Sequence, residues 1–399
     1  MTTWTKEKVK LGAIATVIMG QSPASEFYNQ IGDGLPFFQG VKDFGEKYPT
    51  ETSWTTISHR KAEKGDILFS VRAPVGELNI AHKECCIGRG VAVIRSKNKQ
   101  KDYLYFVLKF YTEKIKNFGN GSVYDAINKD TLEKMEIEIL KNPTDQTYVG
   151  STLSAYDDLI ENNEKRIKIL EEMAQRLYEE WFVKFKFPGH EKVKTIESGT
   201  EYGKIPEGWE VKKLSQHIIP QYGYTTSAKL DESLPKFLRG TDINKKSYIN
   251  WSEVPNCEIL NEDLKKYKVN LGDIFIIRMA DPGKIGINET NVNAVFASYL
   301  MRLNRKNIPP YYLFYFLTSE KYQNFITGSS NGSTRKGINS QHVGAINFII
   351  PAENILNDFE AKVSMLRMML SQLVERNNVL SQIRDLLIPQ LVTGKRELK

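Results

Sequence analysis

Two heptad runs, one in the middle of the chain and one near its end, constrain this sequence more than any other feature. Leu153, Tyr156, Ile160, Asn163, Ile167, Leu170, Ala174, Leu177 and Trp181 follow one another in alternating steps of three and four, with no Gly or Pro between them. That spacing puts all of them on one stripe of an α-helix. Glu161, Glu164, Lys165, Arg166, Lys168, Glu171, Glu172 and Arg176 fill the other face, as solvent exposure requires. Phe359, Val363, Leu366, Leu370, Leu373, Asn377, Leu380, Arg384 and Leu387 repeat the pattern.

Each run carries one Asn among its apolar residues, and this suggests how the two meet. If the helices run antiparallel with Asn163 opposite Asn377, Ile167 faces Leu373, Leu170 faces Leu370, Ala174 faces Leu366, Leu177 faces Val363 and Trp181 faces Phe359. In the other direction Ile160 meets Leu380, Tyr156 meets Arg384 and Leu153 meets Leu387. A buried Asn pair weakens a coiled coil but fixes its register, because any slip strands an amide among leucines. The alternative is two amphipathic helices, each buried on its own domain, since periodicity does not name a partner.

The rest of the chain reads as two diverged copies of one unit, residues 9–140 and 211–350. Val9-Lys10-Leu11 answers Val211-Lys212-Lys213-Leu214, Gly20 answers Gly223, and Phe38-Gln39-Gly40 answers Leu238-Arg239-Gly240. Gly65-Asp66-Ile67 answers Gly272-Asp273-Ile274; each is followed by an arginine, Arg72 or Arg278, and by a Val75-Gly76 or Ile285-Gly286 pair. An aromatic helix recurs at Tyr103-Leu104-Tyr105-Phe106 and Tyr312-Leu313-Phe314-Tyr315, and Ile127-Asn128 answers Ile338-Asn339. Short β-type runs at 67–71, 91–95, 274–277 and 300–303 alternate with helical stretches at 102–117 and 310–325, while 131–140 and 343–350 read as closing strands. Each copy is thus expected to be a compact α+β domain leading into a heptad helix. The expected boundaries are 1–145 and 209–352 for the domains, 146–187 and 353–399 for the helices, and 188–208 for a linker rich in Gly, Pro and charge.

Charge and chemistry narrow the function. The net charge is +7. It divides as +3 for 1–145, −2 for 146–190, +5 for 191–352 and +1 for 353–399. A polyanion such as double-stranded DNA suits the two domains, and protein contact suits the first helix. No GxxxxGK[ST] loop and no dinucleotide-type GxGxxG is present. Ile308-Pro309-Pro310-Tyr311 differs from the amine-binding motif of amino methyltransferases, which needs Asn or Asp where Ile308 stands. His59, His82, His190, His217 and His342 lack metal-ligand spacing, so no metal site is expected. Cys85-Cys86 reads as a buried strand pair rather than a reactive thiol, and Gly65-Asp66 and Gly272-Asp273 as tight turns. No apolar run approaches a membrane span or a signal peptide, so a cytoplasmic location is expected.

Candidate DNA contacts cluster at matching places in the two copies. Ser122 and Tyr124 lie in one Gly-Ser loop; Ser333, Thr334, Arg335 and Lys336 lie in the other, where hydroxyls and cations suit phosphate oxygens. Asn128, Asn339 and Gln341 have the amides that adenine edges take, and Arg72, Arg239 and Arg278 have the fork that guanine takes. No catalytic set accompanies them.

Trp181-Phe182-Val183-Lys184-Phe185-Lys186-Phe187, then Gly203-Lys204-Ile205-Pro206-Glu207-Gly208-Trp209-Glu210-Val211, then Arg384-Asp385-Leu386-Leu387-Ile388-Pro389-Gln390-Leu391 with Gly394, carry a specific resemblance. Over essentially its whole length the chain resembles the specificity subunit of type I restriction-modification systems. The resemblance implies two similar globular α+β target-recognition domains separated by two long antiparallel coiled-coil helices, with pseudo-two-fold symmetry. It implies a non-catalytic subunit that reads a bipartite DNA target and docks two modification (methyltransferase) subunits and restriction/translocase subunits. S-adenosylmethionine, ATP and Mg would sit on those partners, and no cofactor on this chain. A seam of 29 residues at ~1.5 Å per residue spans about 43 Å, a little more than one turn of DNA. An autonomous DNA methyltransferase or nuclease, and a coiled-coil scaffold without a DNA role, are the competing readings.

Overall fold

The structure is a computed structural model that describes residues 4–118, 126–244, 246–330 and 337–395. It comprises two compact units. The first is Met1–Ile160 with Val379–Lys399, and the second is Glu161–Asn378. The divisions fall inside the two long helices, Pro143–Tyr178 and Glu353–Val392, so each unit keeps a stretch of both.

In the first unit, Ala15–Met19, Val91–Ser96, Ile67–Ser70 and Leu78–Ile80 form an antiparallel sheet in that order. Its middle strands are apolar on both faces because both faces are covered. Ile67, Phe69, Ala92 and Ile94 pack with Tyr103, Phe106 and Val107 of the helix Lys101–Phe118. Leu68, Val91 and Val93 turn the other way, onto Phe38, Cys85 and Ile87 of a second, five-stranded sheet. In that second sheet Leu35–Phe38 and Cys85–Ile87 run parallel.

The second unit repeats this plan. Ile218–Tyr222, Leu300–Arg305, Ile274–Ile277 and Ile285–Ile287 form the matching sheet. Ile274, Ile276, Met301 and Leu303 face the aromatic helix, while Phe275, Ile277 and Leu300 face Leu238 and Phe296 on the opposite side. Lys236–Leu238 and Ala294–Phe296 supply the parallel pair here. Lys6–Lys10 with Glu136–Leu140, and Glu210–Lys213 with Asn347–Ile350, close the two copies in the same way.

Four expectations need correction. Residues 131–140 and 343–350 are not simple strands: short helices Lys129–Lys134 and Ser340–Gly344 precede the strands, because Asn128 and Asn339 cap them. The second aromatic helix breaks into Pro310–Thr318 and Glu320–Ser330 at Ser319, whose hydroxyl donates to the Phe316 carbonyl at 2.6 Å. Residues 188–208 are no free linker. Thr195–Glu197 pairs with Lys204–Pro206, and Phe187, Ile205 and Trp209 are buried in the second unit's core, the Phe187 and Trp209 rings stacking at 5.0 Å. Aromatic side chains anchor a segment that its Gly and Pro content alone would leave loose.

The fourth correction concerns how the copies align. Ala81 N donates to Asp66 O and Asn288 N to Asp273 O; Gly76 N donates to Ser70 O and Gly283 N to Ile277 O. Gly283, at φ 96°, therefore stands where Gly76, at φ 94°, stands, rather than Gly286. Counting from the equivalent aspartates, Arg278 takes the place of Val71, and Arg72 that of Met279. Main-chain bonds agree: Val71 N donates to Gly90 O and Arg278 N to Tyr299 O, each acceptor directly preceding its strand. One residue along an extended chain reverses the side chain, so the two arginines are not counterparts.

Candidate nucleic-acid interface and helix seam

The seam lies within both units. In the second, Asn163 Nδ2 donates to Asn377 Oδ1 at 2.8 Å. Ile167, Leu370 and Leu373 form a buried cluster with Leu170 at its margin. Ala174, Trp181, Phe359 and Val363 join the unit's main core with Leu177 and Leu366 packed against it, and the Trp181 and Phe359 rings lie 6.0 Å apart. In the first unit Leu153 is fully buried with Leu387 beside the same core, and Tyr156, Ile160 and Leu380 are half-buried. The layer pairing Tyr156 with Arg384 is replaced. Arg384 reaches one residue further to the buried Asp157 carboxylate, at 2.5 Å, and to Asp385 at 2.9 Å, because a cation at a seam needs an anion.

Buried ion networks fasten the helices to each domain, and the heptad pattern gave no sign of them. In the first unit Asp385 also meets Lys109 of the aromatic helix at 3.5 Å, and burial lowers the Lys109 pKa. In the second, Arg367 is 1% exposed and forks Glu289 at 2.8 and 2.6 Å. Its Nη1 donates to Ser247 Oγ and its Nη2 to Ser247 O, each at 2.9 Å, and Ser247 Oγ in turn donates to Glu171 of the central helix. Burial opposes the Arg367 charge, but the Glu289 carboxylate outweighs it and holds the guanidinium pKa above its usual range. Glu360, also on the C-terminal helix, accepts from Tyr311 N at 3.1 Å and Tyr312 N at 3.3 Å, the start of Pro310–Thr318. Burial pushes its carboxyl up to about 7.

The candidate DNA contacts separate into distinct environments. Ser122, Tyr124, Ser333, Thr334, Arg335 and Lys336 lie outside the described residues. Gln341 and Arg72 are exposed. Asn128 Oδ1 accepts from Thr131 N and Asn339 Oδ1 from His342 N, both at 2.9 Å, so the oxygen an adenine contact would use is already capping a helix. The Arg239 fork is closed by Asp242, with Nη2 to Oδ1 at 2.9 Å and Nε to Oδ2 at 3.1 Å. Asn128, Asn339 and Arg239 thus each have an internal partner. Arg278 differs: its guanidinium lies over the Tyr222 ring at 4.5 Å, and among the described residues its Nη1 donates to the Ser298 carbonyl at 3.3 Å.

Turn residues behave structurally. Gly65 and Gly272 take φ of 91° and 78°, and the aspartates after them accept main-chain N–H groups and pair with Arg95 at 2.6 Å and Arg302 at 2.9 Å. Arg302 occupies the place of Val93, two residues from that of Arg95, as the strand registers show. Cys85 and Cys86 are buried, and burial, with Cys86 adding to it, raises the Cys85 thiol to about 12, which keeps it protonated and unreactive. Among the described residues, no helix is long and apolar enough to cross a membrane.

Comparison with known proteins places this architecture. Residues 3–172 match the type I restriction modification DNA specificity domain. The type I restriction enzyme MjaIX specificity subunit of Methanocaldococcus jannaschii is 29% identical, over 98% of this chain and 93% of its own length. The MjaVIII specificity subunit of the same organism is 26% identical, over 79% of this chain and 75% of its own. The crystal structure of the type I restriction-modification system S subunit from M. genitalium shares the fold, with a TM-score of 0.61 and 17% identity over 100% of this chain and 98% of that one. Beside its repeated α+β plan and heptad helices, this protein carries a type I restriction modification DNA specificity domain over residues 3–172 and is similar along nearly its whole length to type I restriction enzyme specificity subunits, proteins that are non-catalytic and act with partner subunits.

Proposed function

We propose that this chain reads a bipartite DNA target, residues 1–145 recognising one half-site and 209–352 the other, while the paired helices hold the distance between them. One observation carries the reading: the chain uses the same sheet-and-helix plan twice, and each copy runs directly into a long heptad helix. A duplicated reader joined by stiff spacers suits a target of two short sites separated by unread bases. The exposed faces of the helices, including Glu164, Lys168 and Glu172, would dock two modification subunits, with restriction/translocase subunits joining the same complex. S-adenosylmethionine, ATP and Mg would then be bound by those partners, and the complex would act on DNA in the cytoplasm.

Removing residues 164–170 and 370–376 together takes out one facing heptad from each helix and leaves Asn163 and Asn377 in step. The helices then shorten by about 10 Å at ~1.5 Å per residue, equivalent to about 3 base pairs. Methylation-site sequencing in cells carrying the full system should show both half-sites kept and the spacer changed. An unchanged spacer in an assembled, active complex would refute the spacing role.

A further inference from the structure

The second recognition domain holds one arginine in a way that internal stability does not explain. Arg278 occupies the position that Val71, 2% exposed, fills with an apolar side chain in the first domain. Three other arginines of the same unit, Arg239, Arg302 and Arg367, each close onto a carboxylate, Asp242, Asp273 or Glu289. Arg278 has no such partner among the described residues, and its buried Nε is not hydrogen-bonded. A half-buried guanidinium whose described contacts include no anion keeps donors free for an acceptor from outside.

What surrounds Arg278 fixes its direction. Its main-chain N donates to Tyr299 O at 3.0 Å and its O accepts from Ile338 N at 2.9 Å, so the backbone is clamped from two sides. The guanidinium carbon lies 4.5 Å from the ring centroid of Tyr222, the last residue of the edge strand Ile218–Tyr222, and Ser298 O accepts from one terminal nitrogen. Tyr222 is 42% exposed and Tyr299 59% exposed, so this end of the sheet opens to solvent. A guanidinium braced by a ring on one side and a carbonyl at one terminal nitrogen is suited to a planar, two-acceptor ligand, whereas a phosphate needs only a nearby charge. In the first domain Met19 stands in the place of Tyr222, as the equivalent Gly20 and Gly223 N–H bonds to Val91 O and Leu300 O show. That domain has neither the cation at this point nor the ring beneath it.

We infer that Arg278, propped on Tyr222, is a specificity-determining residue of the second domain that donates to the O6 and N7 edge of a guanine in its half-site. The first domain reads its half-site without a counterpart. The inference rests on the proposed DNA-reading role.

The test uses the complete complex in cells, with methylation-site sequencing as the readout and co-purification with the modification subunits as the check on folding. One wild-type half-site should contain a G·C pair whose replacement abolishes methylation. Arg278→Ala and Arg278→Lys should relax that one position by about 5- to 150-fold, the equivalent of 1–3 kcal/mol for a bidentate pair. Tyr222→Ala should do the same in part, while Tyr222→Phe keeps the ring and the wild-type motif. The other half-site should not change in any variant. An unchanged motif, a uniform loss over all sequences, or a change in both half-sites, from an Arg278→Lys variant that still assembles, would overturn the inference. A wild-type chain whose presence made no difference to where DNA is methylated would instead sink the DNA-reading role itself.

Discussion

Replacing Arg367 with Met should be among the most damaging single changes in the second unit. The substitution keeps most of the side-chain volume but leaves the Glu289 carboxylate, 8% exposed, without its cation, and frees the Ser247 carbonyl that Arg367 also satisfies. Breaking a buried pair from one side typically costs about 3–5 kcal/mol, most of it the stranded charge. For a unit of this size, 1 kcal/mol shifts the melting temperature by about 2–4 °C, so a fall of about 6–20 °C is expected. Urea unfolding of the full chain in a Trp4→Phe, Trp54→Phe background, followed by tryptophan fluorescence, reads the second unit, which holds Trp181, Trp209 and Trp251. The double variant Arg367→Met with Glu289→Leu removes both charges and should recover most of the loss. The reasoning fails if the single variant loses less than about 1 kcal/mol, or if the double variant is as unstable as the sum of its parts.

Two further outcomes can be measured the same way. Asn163→Leu alone should destabilise by about 1–3 kcal/mol, because Asn377 loses its partner. Asn163→Leu with Asn377→Leu should regain that stability but loosen the register, so that Leu170→Cys and Leu370→Cys in the same chain are joined less completely on oxidation than with the Asn pair in place. Glu360 sets a pH dependence: its folded carboxyl titrates near 7 against an ordinary 4.5, so the folded chain binds the proton more tightly. Its contribution is complete below about pH 4.5 and is lost as pH rises through 7, against the pull of Arg305 and the Tyr311 and Tyr312 amides. Over that window the wild type should lose stability relative to Glu360→Gln, by on the order of 3 kcal/mol at most; parallel pH profiles would exclude the effect.

The helices were legible because their signal repeats. A stripe of period 3.5 survives many substitutions, and the two asparagines could be set opposite each other from spacing alone. Strand positions such as 274–277 were also legible, since a run apolar on both faces admits few other structures. What stayed hidden depends on partners far apart in the sequence or on single-residue offsets. Arg367 sits outside the apolar stripe, between Leu366 and Met368, and nothing local announces Glu289 or Ser247. Asp242 claims Arg239 from three residues away, a partner that the reading of Arg239 as a guanine fork did not include. Residues 188–208 looked loose by composition, although two aromatic rings at their borders decide otherwise.

The aspartates after Gly65 and Gly272 and their arginine partners show how the two copies could drift apart. Arg95 and Arg302 do the same work from positions two apart, and an even displacement along a strand leaves a side chain on the same face. Arg72 and Arg278 are displaced by one, and their surroundings are unrelated. A strand therefore acts as a parity filter on change. Residues that hop by two are interchangeable, and residues that hop by one acquire a new neighbourhood. A comparison of other duplicated α+β domains would do better to match positions modulo two along each strand than to match residue types column by column.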